Sequence, residues 1–160
     1  MSAVGRIAGI LLLTAACVSA SAPTEYDWAR AVLPGGVELK LEMAVSAEQR
    51  MLGYMDRAHV ADDEGMLFLF GSIATHGIWM RNCLVPLDII WLDKNLRIVE
   101  IAPRLQPCPP SDVDPEMKDC PVHQPMRQSA YVLEIAGGRA EVLGLAVGQS
   151  IVVLSEPELP

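Results

Sequence analysis

The segment HGIWMRNCLVPLDIIWLD, His76 to Asp93, is mostly hydrocarbon, yet it carries a guanidinium, an amide, a thiol and a carboxylate: Arg81, Asn82, Cys83 and Asp88. Polar groups in such a run either satisfy one another and the backbone inside the fold or line a site, because burying them unpaired costs free energy. In the first arrangement Asn82 and Asp88 flank the Pro86-bearing connection and bond its orphan backbone N–H and C=O groups. In the second, Trp79, Asn82 and Asp88 join Arg57 and Glu134 as the lining of a shallow ligand pocket. The indole would supply a stacking wall, and the polar atoms would set a ligand's orientation. Arg57 and Glu134 equally suit a buried ion pair, with each other or with Asp88.

Two further chemistries use the same region. Cys83, His76 and Asp88 are the residue types of a thiol triad, the alternative of a small hydrolytic or thiol-dependent enzyme, but no spacing brings them into contact, and no catalytic residue is assigned. Cys83 reads as a buried free thiol behaving as a small hydrophobe. Met51, Met55, Met66 and Met80 read as core filler, with copper held by thioethers as the alternative. Cys108, Cys120 and His123 lack the regular spacing of a zinc site, so neither a metal site nor a cofactor is assigned.

The elements that must position these residues are mainly strands. GVELKLEMAV alternates, with Val37, Leu39, Leu41, Met43 and Val45 on one face and Glu38, Lys40 and Glu42 on a wet one. In SAEQRMLGYM, Ser46 and Gln49 form a capping box and Gly53 ends a helix of two or three turns. GMLFLF (65–70), GIWM (77–80) and LDIIWLD (87–93) read as buried strands. Asp93, Lys94 and Asn95 turn a hairpin between Leu87–Leu92 and Leu96–Ile101. Prolines at 103, 107, 109, 110, 115, 121 and 125 predict that regular structure lapses from Pro103 to Pro125. AYVLEIA (130–136) resumes a strand, a short helix follows between Gly138 and Gly144, and AVGQSIVVL is a turn with a final strand. The absence of a βαβαβ rhythm excludes a doubly wound sheet. The sum is a small, mostly antiparallel β-sandwich or barrel-like domain with two short helices and a long proline-rich loop.

Residues 1–20, MSAVGRIAGILLLTAACVSA, have the Arg6, apolar run and small residues of a secretory leader. Two endings stand: cleavage after Ala20, or a lipoprotein box, LTAAC, in which Cys17 is acylated and anchors the chain to a membrane facing the periplasm. Residues 21–35 then form an N-terminal arm, with Tyr26 and Trp28 packing on a single domain at 36–157. In an oxidising compartment Cys108 and Cys120 pair as a disulfide that clips the proline-rich loop. A net charge of −8 argues against nucleic acid, whose binding needs a basic surface to release counterions. The partner class that remains is a small molecule or an envelope component.

Three segments carry a family resemblance: LGYMDRAHVADDEGMLFLF, IWMRNCLVPLDIIWLDKNLRIVEI and YVLEIAGGRAEVLGLAVGQSIVV. They resemble the small exported proteins of the domain of unknown function 192 (DUF192) family. The matching positions are Gly53, Tyr54, Met55 and Arg57, then Gly65 to Phe68, Trp79 to Cys83 with Pro86 to Asp88, and Val132 to Glu134 with Gly137. Tyr54 stands where the family has Leu, Cys83 where it has Thr and Gln149 where it favours Asp. A Thr at position 83 elsewhere in the family argues against shared thiol chemistry. The resemblance implies a β-sandwich-like fold and an exported accessory or binding module, and it implies no reaction.

Overall fold

The computed structural model describes residues 25–109 and 118–154. The leader, Cys17 and residues 110–117 of the proline-rich loop therefore lie outside the described residues. Period-two alternation builds the strands: Leu39, Leu41 and Met43 are buried in β2 (Glu38–Ala44), which is flanked by β1 (Asp27–Val32) and β3 (Glu64–Ala74). The capping box at Ser46 starts α1 (Ala47–Leu52), with Gln49 N–H donating to Ser46 Oγ at 3.0 Å, and Gly53 ends it. The remaining elements are β4 (Leu87–Leu92), β5 (Ile98–Leu105), β6 (Ser129–Ala136), α2 (Arg139–Val142) and β7 (Val152–Leu154).

The strands form one seven-stranded sheet in the order β5-β4-β6-β3-β2-β1-β7. Every pair is antiparallel except β2 and β3, which α1 connects as a parallel crossover. The two edges of the sheet meet. Ile98 N–H donates to Gln149 O at 2.8 Å, Gly148 N–H to Ile98 O at 2.8 Å and Ile151 N–H to Leu96 O at 3.0 Å, so the segment entering β7 docks on the start of β5. The sheet thus closes as a barrel, which leaves few unpaired edges. Its interior is packed by Leu41, Leu67, Ile90, Leu133, Ile135 and their neighbours. A second apolar cluster lies on the outside of β3, β4 and β6, where Met66, Phe68, Ile89, Trp91 and Val132 are covered by residues 54–60 and 78–83.

Several expectations change. Residues 77–80 do not add a strand to the sheet; only Ile78 bridges, to His123, while Ile78 and Met80 point down onto the outer cluster. β3, β4 and β6 already have both neighbours, so no edge remains for another strand. The arm expected at 21–35 contains β1, an integral strand; Ala29, Ala31 and Leu33 point into the barrel, and their small size hid the alternation. Glu42 is not on a wet face but is buried. β5 runs through Pro103 to Leu105 because the ladder shifts register there, and a bulge tolerates a proline.

Asp88 closes one end of the barrel. Its side chain is fully buried. Oδ1 accepts from Arg104 N–H at 2.7 Å and Gly138 N–H at 2.7 Å, and Oδ2 accepts from Ala140 N–H at 2.6 Å. One carboxylate thereby holds the bulged β5 and the first turn of α2 to β4. Gly138 adopts φ +89°, a left-handed conformation that favours glycine. Asp88→Ala leaves the buried N–H groups of Gly138 and Ala140 and the half-buried one of Arg104 unpaired, and is expected to lower the unfolding free energy by roughly 3 kcal/mol or more. Urea denaturation measures this, and Asp88→Asn, which keeps one acceptor, is expected to lose less.

Candidate functional site

On β6, Glu134 shares the outward face with Val132 and lies between Met66 of β3 and Ile89 of β4. It is 4% exposed. Burial dominates its ionisation and pushes the carboxyl up to about 8, with the positive charge of Arg57 pulling weakly the other way. Arg57 is otherwise engaged: its guanidinium makes a two-pronged pair with Glu42, with Nη1 donating to Oε1 and Nη2 to Oε2, the latter at 2.7 Å. It sits 5.5 Å from the Tyr26 ring centre and 5.0 Å from that of Tyr54. The pair expected between Arg57 and Glu134 or Asp88 is therefore made with Glu42. β2 and the 54–57 turn bring those two together, whereas Asp88 faces the barrel interior.

The chain crosses above Glu134 at the end of α1. Gly53 has φ +48°, and a Cβ there would lie 3.3 Å from Phe68 Cζ and 3.6 Å from Glu134 Oε2. Tyr54 follows with its hydroxyl buried and without a partner among the described residues. Burial and the neighbouring Glu134 push that hydroxyl well above the usual phenol range. The second cover, residues 78–83, is tied to the first by Asp56 N–H donating to Asn82 O at 2.8 Å and by a bridge between Met55 and Cys83. Asn82 makes this turn at φ +51°, a conformation asparagine tolerates, and its side chain is exposed. Arg81 stacks over Trp79 with 5.5 Å to the ring centre, and its buried Nε has no partner among the described residues.

Between the two covers lies a cavity of about 80 Å³, walled by Phe68, Phe70 and Trp79, with Tyr54, Cys83 and Glu134 as its buried polar lining. Arg50, Met51 and Leu52 of α1 and Arg81 also line it, and Met51 and Leu52 are exposed. Of the five predicted pocket residues, Trp79 and Glu134 line it and Arg57 braces it through Tyr54. Asn82 and Asp88 do not line it: one shapes the turn, and the other lies on the opposite face of the sheet. Cys83 is buried, and its thiol is pushed up to about 12, first by burial and then by Glu134 and Asp56, which suits a wall and not a nucleophile. His76 stacks on Phe70 at 3.7 Å between ring centres, and its backbone carbonyl accepts from Trp91 Nε1 at 2.7 Å. A second hollow of about 200 Å³, at Gly71, Ile73, Lys94 and Tyr131, is larger but has no acid in its lining.

The clipped loop braces the second cover. Cys108 and Cys120 are joined as a disulfide. Cys108 N–H donates to Met80 O at 3.1 Å, while Ile78 and His123 exchange N–H···O bonds of 3.0 and 2.7 Å. Sequence reasoning singled out Arg81 without placing it in the pocket, and missed Tyr54 and Glu42. Tyr54 carried a signal, as a hydroxyl where the resemblance implies Leu; Glu42 carried none, because a charged residue alternating in a strand reads as solvated.

Two outcomes follow. Glu134 is expected to make the fold less stable as pH rises from about 5 to 8, because the unfolded carboxyl ionises near its ordinary value while the folded one keeps its proton to about 8. Urea midpoints across that range read the slope, which Glu134→Gln flattens. The double variant Cys108→Ser with Cys120→Ser is expected to lose about 2–4 kcal/mol of stability in the same assay.

Comparison with known proteins fits this geometry to a family. The family model for DUF192, described as an uncharacterized ACR, matches residues 30–153. A crystal structure of a protein from Sinorhizobium meliloti 1021, named as a candidate transcription regulator, is 28% identical over 82% of this chain and 98% of its own, with a TM-score of 0.72. A protein of unknown function from Novosphingobium aromaticivorans DSM 12444 is 28% identical over 86% of this chain and 94% of its own, with a TM-score of 0.67. The curated proteins give no match.

Proposed function

This chain belongs to the DUF192 family, a family of unknown function, and we propose that it is an exported binding module whose outer-face cavity takes a small ligand. One observation carries the reading. Two buried polar atoms without hydrogen-bond partners among the described residues, the Tyr54 hydroxyl and the Arg81 Nε, belong to residues that line one aromatic-walled cavity together with the buried Glu134. Each unpaired group costs about 1–3 kcal/mol, and folded proteins tolerate few of them. A ligand that bonds them recovers that cost, whereas a purely structural cover would favour hydrocarbon at these positions.

Export is supported by the leader-like residues 1–20 and by a disulfide, which an oxidising compartment favours. A lipid on Cys17 would be the sole membrane attachment, with the barrel displayed at the envelope. The regulator named for the S. meliloti protein is not the reading favoured for this chain, whose net charge of −8 opposes nucleic acid. A thiol enzyme is disfavoured as well, because Cys83 holds its proton at neutral pH.

A thermal-shift screen of envelope metabolites, glycans and metal ions tests the proposal on the wild type, Trp79→Ala and Glu134→Gln. A ligand near a hundred times its Kd should add about 2.7 kcal/mol, a shift of several degrees for a domain of this size. The reading stands if that shift disappears in Trp79→Ala while the variant remains folded. It fails if every stabilising ligand acts equally on all three proteins, or if none acts.

A further inference from the structure

We infer that the ligand of this cavity is a single soft, monovalent metal ion, copper(I), held by the Met51 and Met55 thioethers and the Cys83 thiolate. The inference rests on the binding reading above and names the ligand's chemistry.

The first support is where sulfur lies. Of the four methionines that the sequence offers for thioether ligation, Met66 and Met80 are fully buried in the outer apolar cluster. Met51 and Met55 line the cavity instead, together with Cys83. Met55 and Cys83 stand opposite each other across an antiparallel bridge. Residues opposed in this way have Cβ atoms about 4.5–5.5 Å apart on one face, so the thioether and the thiol share one space. Met51 belongs to the last turn of α1. Gly53 N–H donates to Gln49 O at 2.9 Å and Met55 N–H to Leu52 O at 2.9 Å, which folds the chain back and keeps the two methionines close. Met51 is 57% exposed and places its donor at the mouth.

The second is an unmet oxygen. Glu134 is 4% exposed and lines the cavity, and its carboxyl makes no hydrogen bond or ion pair among the described residues. It lies near enough to Cys83 to act on the thiol. A buried oxygen without a donor is a place for a cation, beside the three sulfurs.

The third is charge. Arg50, Arg57 and Arg81 around the cavity are balanced by Glu42, Asp56 and Glu64. An ion that enters a balanced apolar recess is favoured if it adds no charge. Copper(I) meets this condition: a copper–sulfur bond forms as the Cys83 S–H bond breaks, the proton leaves to solvent and no electron moves. A divalent ion would leave one positive charge behind. Thiolate and thioether donors together select copper(I). No three His, Cys, Asp or Glu side chains gather among the described residues to hold a harder ion. A cavity of about 80 Å³ also suits an ion better than a large organic molecule.

Anaerobic titration of the full chain, disulfide intact, with copper(I) kept reduced by ascorbate and competed by the chelator bicinchoninate reads the affinity. The wild type is expected to retain one ion per chain. Cys83→Thr, the residue the resemblance implies there, is expected to weaken retention by about a hundredfold or more, at least the loss that removing an outer-shell partner causes. Met55→Leu conserves volume and is expected to lose about tenfold. Met126→Leu changes an exposed methionine outside the lining and is expected to change nothing. X-ray absorption of the wild-type adduct should show a shell made mainly of sulfur. The inference is overturned if the chelator strips the ion outright, if Cys83→Thr retains it as the wild type does, if the shell holds only nitrogen and oxygen, or if zinc(II) is held more tightly. Should Cys83→Thr not fold, the wild-type absorption spectrum decides alone. Each of these failures leaves the binding reading to the broader screen with Trp79→Ala, which separately decides whether the cavity binds anything else.

Discussion

Strands β4 and β6 have no dry side to spare. All six residues of β4 are buried, as are seven of the eight in β6, because hydrocarbon projects from both faces. Closing the sheet into a barrel buries one face of each. The other face must then be covered by chain that is not sheet, since the central strands already have two neighbours. This constraint accounts for the unusual organisation of residues 53–60 and 76–86, which lie flat on the outside of the barrel. It also accounts for the brace of backbone bonds from the disulfide-bearing loop, because cover segments without a ladder need another source of rigidity.

Two carboxylates on this sheet show how environment divides one side-chain type into two tasks. Asp88 faces the barrel end and is saturated by three backbone N–H donors. Glu134 belongs to the paired neighbouring strand but projects to the other face, where hydrocarbon surrounds it and the cation that acts on it, Arg57, is turned toward Glu42. The first is an architectural clamp. The second is a buried group whose ionisation is left unbalanced by the fold, which is the condition under which a polar residue becomes responsive to a ligand.

Much of the architecture was legible in the chain. The alternation of Leu39, Leu41 and Met43, the Ser46 and Gln49 cap and the Asp93 turn each rest on local chemistry, and each forms as the pattern predicts. Legibility ended where a property depended on partners distant in sequence. Ala29 and Ala31 pack inside the barrel, yet alanines carry too little hydrophobic contrast to announce a strand. Ile78 and Met80 alternate as a strand would, and the alternation is real, but no sheet edge remains for the segment to join. The same limit governed the site. Trp79 and Glu134 could be named from residue type, while the separation of Asp88 from them depends on which face of β4 each side chain takes, and that parity follows from barrel closure.

The pairing of β1 with β7 has a further consequence. Arg30 stands opposite Leu154, so the first strand of the described chain finds one of its neighbours only in the last. A nascent polypeptide leaving the ribosome carries an open, unshut sheet until residues 152–154 have emerged, and the closing contact spans the greatest sequence separation of any strand pair among the described residues. Such a topology folds slowly and late. The chain therefore remains threadable through a narrow pore for longer than one whose early residues can complete a domain by themselves.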